Sequence, residues 1–267
     1  MTEKLRLSTS RINTYLHCPK SYWWHYHEDL VPKKKSYALQ LGDFVHILLA
    51  KDALGELTQE YISNFVNEVQ KAYPDNINEE SAGVAYDALN YFSGYKDKYK
   101  YDPLTIDSVE VHLELDLGPY LLYTRLDTLV RTQDKRLWRG EYKTTAKLDS
   151  GYLSGLKDGL QAGISYWVES EVLPERVNGT IYSLIVKTKI PQYERSMVLA
   201  EKGLIERTKE CVHGVADNIL NERFYPSMQC HYYNRECEYL PLCKNDSERT
   251  REAFFEKRVE FYNKPKS

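Results

Sequence analysis

The spacing of hydrophobic positions in this chain changes character near residue 106. Before that point apolar residues recur at helical intervals. Ile12, Tyr15, Leu16 and Trp23 predict a helix running to about His25, with Ser8 or Ser10 as its cap. Pro32, in VPKKKS, breaks the pattern. Leu41, Phe44, Val45, Leu48 and Leu49 then predict a helix over 37–54, and stretches over 57–73 and 78–100 complete a helix-rich first third. After residue 106 the period falls to two. SVEVHLELDL, YLLYTRLDTLV and, beyond the polar turn RTQDK, RLWRGEYKTT read as three strands of an antiparallel meander. A helix over 155–171, the β-branched run GTIYSLIVKT, a strand in PQYERSMVL and a helix over 200–222 follow. The segment from Phe224 to Leu242 reads as irregular, and a charged helix is expected over 247–262. This order predicts an α/β fold, a mixed sheet flanked by helices, in a single domain spanning 1–267.

Composition narrows the picture only a little. With 36 Lys+Arg against 39 Asp+Glu the chain is close to neutral, so net charge selects no class of partner. A nucleic-acid enzyme of this composition must gather its basic residues locally, and Lys33–Lys35 and KDKYK at 96–100 are the candidates. The 23 tyrosines suit core and boundary positions better than base stacking. No run approaches the roughly 20 apolar residues of a membrane span, and the opening MTEKLRLSTSRINTYLHC lacks the apolar core of a signal peptide. The expectation is a cytoplasmic protein with no membrane association, whose five cysteines are not structural disulfides.

The candidate chemistry lies in the meander. Glu141 and Lys143 are two apart on a strand and share a face, while Tyr142 points the other way. Asp127, within TRLDTLV on the preceding strand, falls beside Glu141 when the hairpin closes, and its apolar neighbours make an unpaired carboxylate costly there. Adjacent carboxylates repel unless a cation joins them, and hard divalent ions prefer oxygen ligands. A Glu-X-Lys sequence alone is commonly a solvated ion pair, so the argument needs its surroundings. Upstream, LGDFVH places Gly42 and His46 on one helix face, where glycine admits a close backbone approach and histidine can ligate metal.

The cysteines form a second constellation. Cys18 lies in the first predicted helix, and Cys230, Cys237 and Cys243 cluster in the polar tail. Four thiolates suit either zinc or a [4Fe–4S] cluster, and spacing alone does not separate the two. Zinc sites favour C-x2-C pairs, which this chain lacks. Cys211, in a predicted helix, reads as packing.

Taken together, LGDFVH, RLD, GEYK and LQAGISYW, with the opening STSRINTYLHCP and the one-plus-three cysteine layout ending in C-x5-C, resemble the RecB/AddB-type branch of the PD-(D/E)XK nuclease superfamily. That branch includes helicase–nuclease C-terminal domains, CRISPR-associated spacer-processing exonucleases and phage exonucleases. The resemblance covers about residues 8–243 and implies a restriction-endonuclease-like fold. It implies a DNA exonuclease that uses Mg2+ or Mn2+ on single-stranded or frayed ends. His46, Asp127 and Glu141 would hold the metal, joined by the Tyr142 carbonyl; Lys143 would assist the attacking water and Gln161 would reach the site. A [4Fe–4S] cluster on Cys18, Cys230, Cys237 and Cys243, with zinc as the alternative, would clasp residues 1–30 to 224–267, and residues 50–105 would form a helical cover gripping DNA. With no GxxxxGK[ST] motif, the chain would act in phage recombination or spacer processing, or beside a helicase or recombination partner. Two departures stand out. Gln161 and Tyr166 have four residues between them where the branch has three, which assigns Tyr166 to the core beside Trp167, and C-x6-C replaces the usual C-x2-C. The alternative function is a non-catalytic iron–sulfur or zinc DNA-binding module of the same fold, against which the intact Asp127, Glu141 and Lys143 argue.

Overall fold

The computed structural model describes residues 4–33, 36–73, 82–232 and 235–258. It divides into two units, one made of Met1–Lys35 and Glu210–Ser267 and the other of Ser36–Lys209. The first unit opens with strand β1 (Leu5–Leu7), helices α1 (Thr9–His17) and α2 (Pro19–Tyr26), and strand β2 (Leu30–Pro32). One helix through His25 was the expectation; there are two. Pro19 has no N–H to donate and disfavours helical geometry in the residue before it, so Cys18 is extended at φ −159° and α2 restarts after it. Ser8 is the α1 cap, its hydroxyl accepting the Arg11 N–H.

The second unit contains α3 (Tyr37–Ala53), α4 (Gln59–Ala72), α5 (Val84–Lys98), β3 (Thr105–Asp116), β4 (Tyr120–Arg131) and β5 (Leu137–Thr145), followed by α6 (Ser150–Asp158), α7 (Leu160–Val172), β6 (Gly179–Val186), β7 (Gln192–Leu199) and the first turns of α8 (Lys202–Leu220). Residues 78–81 of the helical stretch expected over 78–100 lie outside the described residues. The meander forms as its period predicts. Strands β3, β4 and β5 pair antiparallel, β6 joins β5 in parallel, and β7 returns antiparallel to β6. A parallel neighbour demands a crossover, which α6 and α7 provide. The single helix expected over 155–171 begins instead at Ser150, capped by Asp149, and breaks at Gly159. A side chain at Gly159 would place its Cβ 2.4 Å from the Gly155 carbonyl oxygen.

Two layers hold this unit together. Leu41, Val45 and Leu48 of α3, Phe65 and Val66 of α4, and Ala85, Ala88 and Phe92 of α5 close around Ile185 of β6. Each fully buried aliphatic side chain of this kind contributes about 1.5–3 kcal/mol. All eight residues of β6 are buried, as suits a strand inside a mixed sheet. Elsewhere α7 packs Ala162 and Tyr166 against Leu204 of α8, and the approach is close enough that a Cβ on Gly163 would lie 1.9 Å from Thr208 Oγ1. Between α7 and the sheet sits a wholly buried ion pair, Arg139 Nη1 to Glu169 Oε1 at 2.7 Å. Arg139 also donates to Thr180 Oγ1 and lies 4.4 Å from the Tyr166 ring centre. Burial pushes the Glu169 carboxyl up to about 7 even though the Arg139 guanidinium opposes the shift.

The remainder of the first unit is a hairpin of β8 (His231–Tyr232) and β9 (Arg235–Glu236), helices α9 (Leu240–Lys244) and α10 (Glu248–Phe254), and β10 (Phe255–Lys257). The charged helix expected over 247–262 ends at Phe254. The chain continues as β10, which pairs antiparallel with β2 through Phe255 and Pro32, and residues 259–262 lie outside the described residues. Trp24, Leu30, Tyr239, Leu242 and Phe255 form the core here.

Two outcomes test these layers. Gly163→Ala should cost about 1–3 kcal/mol by overpacking, read as a lower Tm, and Thr208→Ala should recover part of that loss; an unchanged Tm for Gly163→Ala would mean that α7 and α8 are not in close contact. Glu169 has a folded pKa above its ordinary 4.5, so its contribution to stability is fully present below that value and is lost as pH rises through about 7. The Tm of the wild type minus that of Glu169→Gln should therefore fall between about pH 5 and pH 8, and a constant difference would place Glu169 in water.

Candidate active site

The β4–β5 ladder ends at the Thr128–Gly140 pair. Gly140 allows this last pairing to close, since a Cβ there would sit 2.2 Å from Thr128 Oγ1. One residue further the strands part, with Asp127 on one and Glu141 on the other. The Tyr142 N–H, released from the ladder, donates to Asp127 Oδ2 at 2.8 Å. Both carboxylates are buried, Asp127 at 7% and Glu141 at 5% exposure, so each needs a partner inside the protein.

Helix α3 supplies the first partner. His46 Nδ1 lies 3.4 Å from Asp127 Oδ1. A Cβ on Gly42, one turn earlier, would stand 3.0 Å from Thr144 Oγ1, so the glycine brings α3 close to the end of β5. Burial works against a charged imidazole, but the charge and hydrogen bond of Asp127 and the charge of Glu141 outweigh it and hold His46 above its ordinary value. Burial likewise opposes ionisation of Asp127. The His46 charge and hydrogen bond, the Tyr142 N–H and the charge of Lys143 overcome this and keep the carboxyl below the usual range.

The second partner set forms a closed ring. Lys143 Nζ donates to Glu141 Oε1 at 2.6 Å and to Gln161 Oε1 at 2.9 Å, and Gln161 Nε2 donates to the same Glu141 oxygen at 2.6 Å. Gln161 comes from the first turn of α7, which brings it against Glu141 and Lys143. The Tyr142 ring points away from that face and packs edge-on against Tyr95, 5.7 Å between centres. Tyr166 is core, as its spacing predicts, with its hydroxyl 2.9 Å from Thr180 Oγ1.

Reading the sequence alone missed four neighbours. Glu110 on β3 lies between the paired positions Val109–Thr128 and Val111–Leu126, opposite Asp127, and adopts a left-handed φ of 50°. Burial raises its carboxyl against the opposing charge of Arg125, 3.2 Å away, and Asp127 raises it further. Extending the hairpin register by one strand would have found it. Tyr152 of α6 feels the charge of Lys143 and hydrogen-bonds Thr145. Arg139 and Glu169 stand behind the ring, and an arginine in the apolar run LWRGEYK was their only signal.

The four candidate cluster cysteines all belong to the first unit. Cys18 is buried, Cys230 and Cys237 are half-buried and Cys243 is exposed; Cys211 is half-buried as well. The Cys237 N–H donates to the Cys230 carbonyl at 2.7 Å. Burial raises the Cys237 and Cys243 thiols, and Cys18 and Cys230 raise both further. Burial would raise Cys18 too, but hydrogen bonding from Ser227, Ser21 and Lys20 prevails and lowers it. Among the described residues, no group of three or more His, Cys, Asp or Glu is drawn together tightly enough to hold an ion as it stands. Of the basic candidates, Lys96 is tied to Asp52 at 2.6 Å and Lys33 to the Glu252 carbonyl, while Lys34 and Lys35 lie outside the described residues.

A crystal structure from Eubacterium rectale, described as a "putative exonuclease", superposes with a TM-score of 0.54 over 98% of this chain and 91% of that one, at 14% identity. A second solved structure, SSO0001, aligns over 64% of this chain and 84% of its own at 16% identity, with a TM-score of 0.30. No curated protein matches. A mixed sheet flanked by helices, as in the restriction-endonuclease-like fold, carries Asp127 and the Glu141–Lys143 pair, and the profile of the PD-(D/E)XK nuclease superfamily matches residues 6–244, so the chain belongs to that superfamily.

Proposed function

We propose that this chain is a metal-dependent DNA exonuclease acting on single-stranded or frayed ends, with Asp127, Glu141 and Lys143 as its catalytic centre. The observation that carries this reading is the ring of Glu141, Lys143 and Gln161 beside the buried Asp127–His46 pair. The donor set suits a hard divalent ion: two buried carboxylates and an imidazole nitrogen from His46, which the Tyr142 carbonyl would join. PD-(D/E)XK nucleases generally use Mg2+ or Mn2+. Such an ion, when bound, lowers the pKa of a water and offsets charge on the phosphate. The protein's own part is orientation. Gln161 and Glu141 hold the Lys143 ammonium in a fixed direction, from which it can donate to a water or to the phosphate oxygen that gains charge. Residues 50–105, with α4 and α5, would cover the DNA.

The first unit would act as a clasp. Cys18, Cys230, Cys237 and Cys243 would hold a [4Fe–4S] cluster, with zinc as the alternative, joining the segments 1–30 and 224–267. The lowered Cys18 thiol supports thiolate ligation at that position. Among the described residues, no helix is long and apolar enough to cross a membrane. The chain would work in recombination or spacer processing, or beside a helicase.

End-labelled single- and double-stranded DNA with Mn2+ or Mg2+ tests the catalytic reading. Wild type should shorten labelled ends, and Lys143→Ala and Asp127→Asn should each lose at least about a hundredfold in rate. Cleavage that survives both substitutions overturns the site, and a wild type that binds DNA without cutting favours a non-catalytic module. For the clasp, protein purified without oxygen should carry visible absorbance that resists EDTA and bleaches with dithionite. Colourless protein containing one zinc per chain would replace iron–sulfur by zinc.

A further inference from the structure

We propose that Arg139 and Glu169 are positioning residues for the nuclease site: their buried pair sets the register of α7 along β5, and with it the place of Gln161 against Glu141 and Lys143. The inference rests on the nuclease reading above. Strand β5 presents Arg139, Glu141 and Lys143 at alternate positions and therefore on one face. Helix α7 meets that face twice. Gln161, in its first turn, bonds Glu141 and Lys143; Glu169, near its end, bonds Arg139 at 2.7 Å. The helix thus runs opposite to the strand, with a tie at each end.

The spacing of the two ties agrees on both elements. Eight residues of helix rise about 12 Å, and two to four residues of strand cover about 7–13 Å. A tie at Gln161 alone would let α7 swing about that point, whereas two ties remove the swing. The second tie is itself braced. The Tyr166 ring lies 4.4 Å from the Arg139 guanidinium, and the Tyr166 hydroxyl and an Arg139 N–H both meet Thr180 Oγ1.

The pair is poorly built for stability alone. Arg139 and Glu169 are 2% and 3% exposed, and Glu169 Oε2 has no hydrogen-bond partner among the described residues. Apolar residues of similar volume commonly replace such pairs without loss of stability. Their replacement would also leave no new orphan here, since Thr180 Oγ1 keeps its Tyr166 partner. What an apolar pair would not supply is a directional bond fixing the helix register.

This difference gives the test. The double variant Arg139→Met/Glu169→Leu should keep or raise the wild-type Tm while kcat on end-labelled DNA falls about tenfold and KM changes less than about twofold. Calorimetric Mn2+ affinity should fall by about the factor seen in Gln161→Ala. In a Gln161→Ala background the double variant should lower neither quantity further, because the pair acts through Gln161. Unchanged kcat and Mn2+ affinity in a folded double variant overturn the proposal, as does a loss that adds in full to that of Gln161→Ala. Should the double variant not fold, Arg139→Lys, which keeps the charge but loses the planar fork, carries the same cycle. A wild type that does not cut would remove the nuclease reading, while the Mn2+ cycle would still decide the role of the pair.

Discussion

Everything at the site follows from two carboxylates buried where β4 and β5 part. Taking a carboxylate out of water costs several kcal/mol unless charge and hydrogen bonds are returned to it. Asp127 receives the Tyr142 N–H, which is available only because the ladder stops at Thr128 and Gly140. It also receives His46, which α3 can deliver only because Gly42 lets that helix close on Thr144. Glu141 receives Lys143 and Gln161. The sheet opens a gap, and one helix from each flanking layer sends a single side chain to fill it. A divalent ion would compete for the same oxygens, so the partners that stabilise the protein by itself are those that would readjust when metal enters.

Much of this was legible in the residues. The two-residue period of the meander and the apolar setting of Asp127 placed the carboxylates together, and alternation put Lys143 beside Glu141. The illegible parts have physical reasons. Glu110 is reached only by carrying the hairpin register on to a third strand, and its left-handed backbone is announced by no local pattern. The Arg139–Glu169 pair joins residues 30 apart in sequence, and each alone resembles a surface charge. Strands β2 and β10 are three residues long with partners more than 200 positions away, too short to carry a period. Pro19 and Gly159 were in plain view, yet the hydrophobic repeat on both sides of each was strong enough to suggest one continuous helix.

The first unit poses a different problem, because its two chain segments are far apart in sequence and its core is small. Trp24, Leu30, Tyr239, Leu242 and Phe255 form that core, and β2 pairs with β10 over three residues. Chain-closure entropy for segments so distant is large, and a cross-link that forms only in the folded state repays it directly. Cys18 lies in one of these segments and Cys230, Cys237 and Cys243 in the other, and hydrogen bonds lower the Cys18 thiol.

The five-residue step from Gln161 to Tyr166 sends the two side chains into different surroundings. Five residues turn the helix by about 140° beyond a full turn, whereas four would leave the two side chains about 40° apart. Tyr166 therefore leaves the face that bears Gln161 and enters the core, where its ring lies on Arg139 and its hydroxyl on Thr180. Glu169, eight residues on, comes back to within about 80° of Gln161 and meets β5 again. The position four residues after Gln161 is Ser165, whose hydroxyl meets Thr124. Tyr166 instead lies against the arginine that ties α7 to the strand carrying Glu141 and Lys143.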